Sequence, residues 1–183
     1  MTATASQILM AIRLAYPKTA VVREVSITDP FEQAIYWRHQ LDGPRGSWWA
    51  KHLTDRDGPV ADSVPDGWHP ATSIPVRRID ALLRDTSGYT AIEIKVTRAD
   101  FRRDTSEKRR AWQAHTRRFI YAAPAGLLTA SEMPAGCGLW EFDGSRLTVA
   151  KKATINKTPL TFPRSVFDTM LYRVSNYERA ASL

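Results

Sequence analysis

At 183 residues and 20.6 kDa, the chain fits a single domain, since domains peak at roughly 100–150 residues and seldom divide below about 250. Its 43% hydrophobic and 25% charged residues exclude a disordered or fibrous chain, and no apolar stretch approaches the roughly 18 residues of a membrane span. A net charge of +7 and a pI near 9.8 point to a polyanionic partner such as nucleic acid.

Ala5 to Tyr16 sets Ile8, Leu9, Ile12 and Leu14 or Ala15 at helical spacing, with Thr4 or Ser6 as cap and Pro17 as stop. Thr19 to Ile27 is rich in β-branched residues and reads as a strand that carries Glu24 among apolar neighbours. Asp29, Pro30 and Glu32 then combine an N-cap, a proline at the first helical position and a glutamate three residues after the cap, which predicts a short helix to about Leu41. Residues 42–75 carry Pro44, Pro59, Pro65, Pro70 and Pro75 and read as irregular. The wider insertion, 27–75, holds Trp37, Trp48, Trp49 and Trp68. These rings suit base stacking, but the expectation is that they pack the insertion onto the core.

Val76 to Leu83 and Tyr89 to Val96 are β-patterned runs joined by a turn and predict an antiparallel hairpin. Thr97 and Asp100 form a capping-box pattern that opens a helix; a break near Thr105 precedes a basic helix through Lys108, Trp112 and His115. Phe119 to Ala123 reads as a buried strand. Leu139 to Phe142 and Arg146 to Ala150 read as a second hairpin across Asp143-Gly144, and a last helix within 161–183 lines up Val166, Phe167, Met170, Leu171, Val174 and Tyr177. The whole predicts one α/β domain, a mixed central sheet flanked by helices with a Trp/Pro-rich insertion. The single cysteine, Cys137, excludes an internal disulfide and a multi-cysteine zinc site, and the N-terminus lacks a secretory h-region, so a cytoplasmic location is expected. The histidines His39, His52, His69 and His115 have no metal-site spacing and read as surface or loop residues.

One constellation carries chemistry. In a strand, residues i and i+2 share a face, so Glu93 and Lys95 lie together while Ile92, Ile94 and Val96 form the apolar side. Asp80 interrupts the apolar run of the preceding strand, and the hairpin brings it beside Glu93. Mg²⁺ or Mn²⁺ favours oxygen ligands and retains waters, so Asp80, Glu93 and the Ile94 carbonyl make a plausible partial cage. Lys95 completes it, either orienting a metal-bound water or stabilising charge that develops during phosphodiester hydrolysis. From Arg77 to Arg118 there are 12 basic and 6 acidic side chains, concentrating positive charge around this motif. Arg78, Arg98, Arg102, Arg103, Lys108, Arg109 and Arg110 are the expected phosphate contacts.

The run Arg78-Ile79-Asp80, the run Ala91-Ile92-Glu93-Ile94-Lys95-Val96-Thr97-Arg98-Ala99-Asp100-Phe101, then Asp104, Lys108 and Phe119-Ile120-Tyr121-Ala122 resemble the MmcB-like DNA-repair proteins of the PD-(D/E)xK nuclease superfamily. The resemblance covers roughly residues 76–150. It implies a restriction-endonuclease-like fold, divalent metal on Asp80 and Glu93, Lys95 acting beside them, a further acid at Glu24, and a bacterial or phage setting. It also implies Gln113 near the metal. Ile79 stands where that motif usually has proline, and the 27–75 insertion is longer than the family pattern. The sequence therefore predicts a Mg²⁺- or Mn²⁺-dependent deoxyribonuclease working in DNA repair, recombination or phage DNA processing, alone or with a repair or replication partner. The alternatives are a non-catalytic DNA-binding accessory with the same fold and a protein-interaction scaffold.

Overall fold

Strands that are apolar on both faces need cover on both faces. The central strands here meet that condition: Ala91 and Ile92 alternate in direction yet both are fully buried. The computed structural model describes residues 3–53, 59–70 and 73–181, with no side chain described at 165 or 174–181. In chain order the elements are α1 (Ala5–Ala15), β1 (Ala20–Thr28), α2 (Pro30–Asp42), α3 (Gly46–His52), β2 (Val76–Asp85), β3 (Gly88–Ile94), α4 (Arg98–Arg102), α5 (Ser106–His115), β4 (Arg118–Pro124), a 3₁₀ turn (Ala130–Glu132), β5 (Gly138–Phe142), β6 (Leu147–Lys151) and α6 (Arg164–Ala181).

The six strands form one mixed sheet in sequential order. β1, β2 and β3 pair antiparallel, β3, β4 and β5 pair parallel, and β6 returns antiparallel to β5. The step from β3 to β4 needs a crossover, which α4 and α5 supply. On one face α1 buries Ile8, Leu9 and Ile12 against Ile92, Ile94, Ile120 and Trp140. On the other, Trp112 of α5 and Val166 and Met170 of α6 cover Leu82, Ala91, Phe119 and Tyr121.

Local sequence explains the element ends. The Thr4 hydroxyl accepts from the Gln7 amide, and the Gln7 side chain reaches back in a capping box. Asp29, fully buried, accepts from the Phe31 and Glu32 amides and pairs with Arg77 at 2.9 Å, so one carboxylate starts α2 and anchors it to β2. Thr97 caps α4 by accepting from the Asp100 amide, but the expected return bond is absent because the Asp100 carboxylate faces Lys95 and Arg103 instead. Asp85 accepts from the Ser87 and Gly88 amides, closing the β2–β3 turn.

Several expectations are corrected. Leu14 and Leu171 are exposed: α1 turns Ala11 inward instead, and α6 meets the core through Val166 and Met170, with the expected Phe167 packed beside them. Val174 and Tyr177 lie outside the described side chains. Residues 46–52 of the insertion are helical, not irregular. The tryptophans do not pack onto the core. Trp49 sits 5.4 Å from Trp37 and 4.8 Å from Trp48, and Trp48 stacks on His52 at 3.9 Å. The α2–α3 pair thus makes its own aromatic cluster, with Trp48 50% exposed. His115 is buried, because its position on α5 turns it inward beside Trp112, and its ring stacks on Phe162. Among the described residues no helix is long and apolar enough to cross a membrane.

Candidate active site

The register of the first three strands builds the site. β1 and β2 pair Arg23 with Ala81 and Val25 with Ile79, so the ladder steps over Glu24 and Asp80, which stand opposite each other. At this point Glu24 takes φ 52°, a left-handed conformation that costs a residue with a Cβ roughly 1–2 kcal/mol. Arg173 of α6 donates to both the Arg23 and Glu24 carbonyls, tying down the distorted stretch. On the other side of β2, one Asp80 carboxylate oxygen accepts the Ile94 amide at 2.7 Å, fixing Asp80 against the strand that carries Glu93.

β3 ends at Ile94, short of the expected Val96, although the Lys95 amide still pairs with the Ala122 carbonyl at 2.9 Å. Glu93 and Lys95 therefore keep their shared face while the chain peels away into the Thr97 cap. Both side chains are buried, each residue only 4% exposed. Lys95 Nζ donates to Glu93 Oε1 at 3.0 Å and lies 3.7 Å from Asp104 and 3.9 Å from Asp100. Lys108, from the first turn of α5, places its Nζ 2.5 Å from the same Glu93 oxygen. Glu93 Oε2 is buried with no hydrogen-bond partner among the described residues.

The electrostatics follow from this crowding. Burial, and then repulsion from Asp80, push the Glu93 carboxyl above the ordinary glutamate range even with Lys108 and Lys95 opposing the shift. Burial alone would lower Lys95, yet Glu93, and then Asp104 and Asp100, outweigh it and raise its pKa, so Lys95 is an ammonium donor and not a base. Asp104 is in turn held by Arg109 at 3.0 Å and by the Tyr121 hydroxyl. Burial and that bond to Asp104 raise the Tyr121 pKa, which keeps the phenol protonated as a donor.

Glu93, Lys95, Asp100, Asp104 and Lys108 line one cleft of about 670 Å³ at the carboxyl end of β3, between the N-terminal ends of α1 and α5. It brings together Glu24, Asp80, Glu93, Ile94 and Lys95, with Arg78, Arg103 and Lys108 from the expected phosphate contacts. The other expected contacts stand elsewhere. Arg98 pairs with Glu132 at 2.5 Å, Arg109 braces Asp104, Arg110 lies over the Phe31 ring, and Arg102 is exposed outside the cleft wall. Each of the first three finds a nearer acid or ring on its own side of the molecule. Gln113 is also away from the site, donating to the Ala135 carbonyl. The sequence reading missed Arg23 and Arg77 on the wall, gave Asp100 a capping role alone, and placed neither Asp104 nor Tyr121 in the site. Only the pairing of sheet and helix reveals these, because the contacts of Asp100 and Asp104 with Lys95, Arg109 and Tyr121 span 5 to 17 positions; a buried Tyr in β4 facing an Asp at the α4–α5 junction leaves no local pattern.

Among the described residues no three His, Cys, Asp or Glu side chains gather closely enough to form a metal site by themselves. Asp80 and Glu93 supply two carboxylates, a number compatible with an ion that keeps several waters.

A scan against family models finds no match, and neither does a search of curated proteins. A solved structure similar to this chain is a protein of unknown function from Silicibacter pomeroyi, at 19% identity and a TM-score of 0.42, covering 64% of this chain and 74% of that one. A likeness at that level carries no argument about activity.

Proposed function

We propose that this chain is a metal-dependent nuclease that hydrolyses phosphodiester bonds in DNA, with a restriction-endonuclease-like core and the MmcB-like resemblance noted above. The observation that carries the reading is the buried Glu93 carboxylate, one oxygen bonded to two ammonium groups and the other without a partner among the described residues, on the floor of a cleft walled by Arg23, Arg77, Arg78 and Arg103. A mixed sheet flanked by helices agrees with that fold without distinguishing it from other α/β arrangements.

Mg²⁺ or Mn²⁺ fits the donor set. Among the described residues Glu93 Oε2 is a buried carboxylate oxygen without a partner, its carboxyl is pushed up by burial and then by Asp80, and both conditions are relieved by a cation. Glu93, Asp80 and the Ile94 carbonyl would hold it; when bound, such an ion supplies Lewis-acid polarisation and an acidified water. The protein's own contribution is positional. Lys95, fixed by Glu93, Asp104 and Asp100, presents a permanent N–H donor toward charge that develops on a phosphoryl oxygen. Arg23, Arg78 and Arg103 of the wall bind flanking phosphates while Arg77 is held by Asp29, and Glu24 adds a carboxylate opposite Asp80.

Cleavage of labelled single-stranded, duplex and flap DNA with Mg²⁺, Mn²⁺ or EDTA tests the reading. Cutting that needs metal and falls by about a hundredfold or more in Lys95→Ala supports it. Salt-sensitive binding in EDTA with no cutting under any metal favours the non-catalytic accessory instead.

A further inference from the structure

Two lysines share one oxygen of Glu93, and they are not equivalent. Lys95 is nearly inaccessible and has three acidic neighbours, Glu93, Asp104 and Asp100, so it stays in place whatever happens at Glu93. Lys108 is 24% exposed along its side chain, lines the cleft, and has Glu93 as its one ion-pair partner among the described residues. Its flexible stem starts from a helix turn that borders open volume next to Arg103 and Thr105.

We infer that Lys108 is a displaceable counter-ion: its ammonium neutralises Glu93 while the cleft is empty, and an entering nucleic-acid phosphate draws it away, so that metal and DNA load together. The inference rests on the nuclease reading above. A divalent ion at Glu93 would add a third positive centre beside Lys95 and Lys108, and like charges a few ångströms apart in a buried site repel strongly. Lys95 is trapped, so Lys108 is the group that yields. A phosphate oxygen in the cleft offers it an equivalent anionic partner, and thermodynamic linkage then requires metal and DNA to strengthen each other's binding by the same factor.

The experiment uses the full chain. Mn²⁺ binding is followed by electron paramagnetic resonance of the free ion, at about pH 8 and so above the ordinary carboxylate range, for wild type, Lys108→Met and Glu93→Gln. Lys108→Met is expected to bind Mn²⁺ about tenfold more tightly than wild type, and Glu93→Gln to lose the site. DNA affinity by fluorescence anisotropy is then compared with and without Mn²⁺ in the cleavage-impaired Lys95→Ala protein and in Lys95→Ala/Lys108→Met. The gain in affinity from Mn²⁺ is expected to shrink in the double variant. Lys108→Gln, polar at the same helix turn, serves as the second variant if Lys108→Met does not fold. Equal Mn²⁺ affinity in wild type and Lys108→Met, still dependent on Glu93, overturns the role of Lys108 and leaves the metal site standing, as does an undiminished gain in the double variant. Absence of Mn²⁺ binding in every protein overturns both this inference and the nuclease reading.

Discussion

Two residues show where the cleft trades stability for geometry. Glu24 sits at φ 52° where glycine would be unstrained, and backbone strain of this kind gathers at functional sites. Glu24→Gly is therefore expected to leave the unfolding free energy unchanged or raise it by up to about 1 kcal/mol, while metal-dependent cleavage falls; denaturant unfolding and the nuclease assay, run side by side, check the pair. A loss of more than about 1 kcal/mol would mean that the Glu24 side chain serves the fold. The Tyr121 hydroxyl shares Asp104 with Arg109, behind the ammonium of Lys95. Tyr121→Phe removes one donor from a buried carboxylate and is expected to cost about 1–3 kcal/mol. Because Asp104 also faces Lys95, cleavage should fall beyond what the lower stability explains, visible as reduced turnover at temperatures where the variant is fully folded.

At the scale of the elements, α5 faces both the core and the cleft. Its inner side places His115 against Phe162 with the rings 5.1 Å apart, and burial lowers the histidine pKa below its ordinary 6.5. The unfolded chain therefore binds a proton more readily than the folded one, so this contribution to stability is complete above about pH 6.5 and lost as pH falls through the lower folded value. Wild type should lose more thermal stability than His115→Phe between about pH 7.5 and 5.5, as melting curves at several pH values would show; equal losses would remove His115 from the account. The pattern of the strands was legible because alternation and turn chemistry are local: Asp80, Glu93 and Lys95 could be placed on facing strands from Val76 to Val96 alone. The helix α3 was not, since nearby Pro44 reads as a breaker, and its aromatic side meets Trp37 from another helix. The inward turn of His115 depended on Phe162, 47 positions later, and the return half of the Thr97 box failed because the Asp100 carboxylate faces Lys95 and Arg103. Arg98, Arg109 and Arg110 looked like phosphate contacts for the same reason: a basic run in sequence does not say which side chains have an acid or ring waiting in the fold.

For the molecule as a whole, the net charge of +7 matters through its placement. Arg23, Arg77, Arg78 and Arg103 stand around the Glu24, Asp80 and Glu93 carboxylates, and Asp29 pins Arg77 at the rim. Binding of DNA should accordingly weaken steeply with salt, and Arg78→Ala should reduce the slope of log affinity against log salt by about one without changing sequence preference; a salt-independent affinity would contradict a phosphate-binding cleft. The most direct test of the central claim is metal-dependent cleavage by wild type beside Lys95→Ala, on labelled DNA of several forms with Mg²⁺, Mn²⁺ or EDTA. The account predicts cutting by wild type that disappears in EDTA and falls by about a hundredfold or more in the variant. Undiminished cutting by a pure, folded Lys95→Ala protein, or no cutting by wild type with either metal, would contradict it.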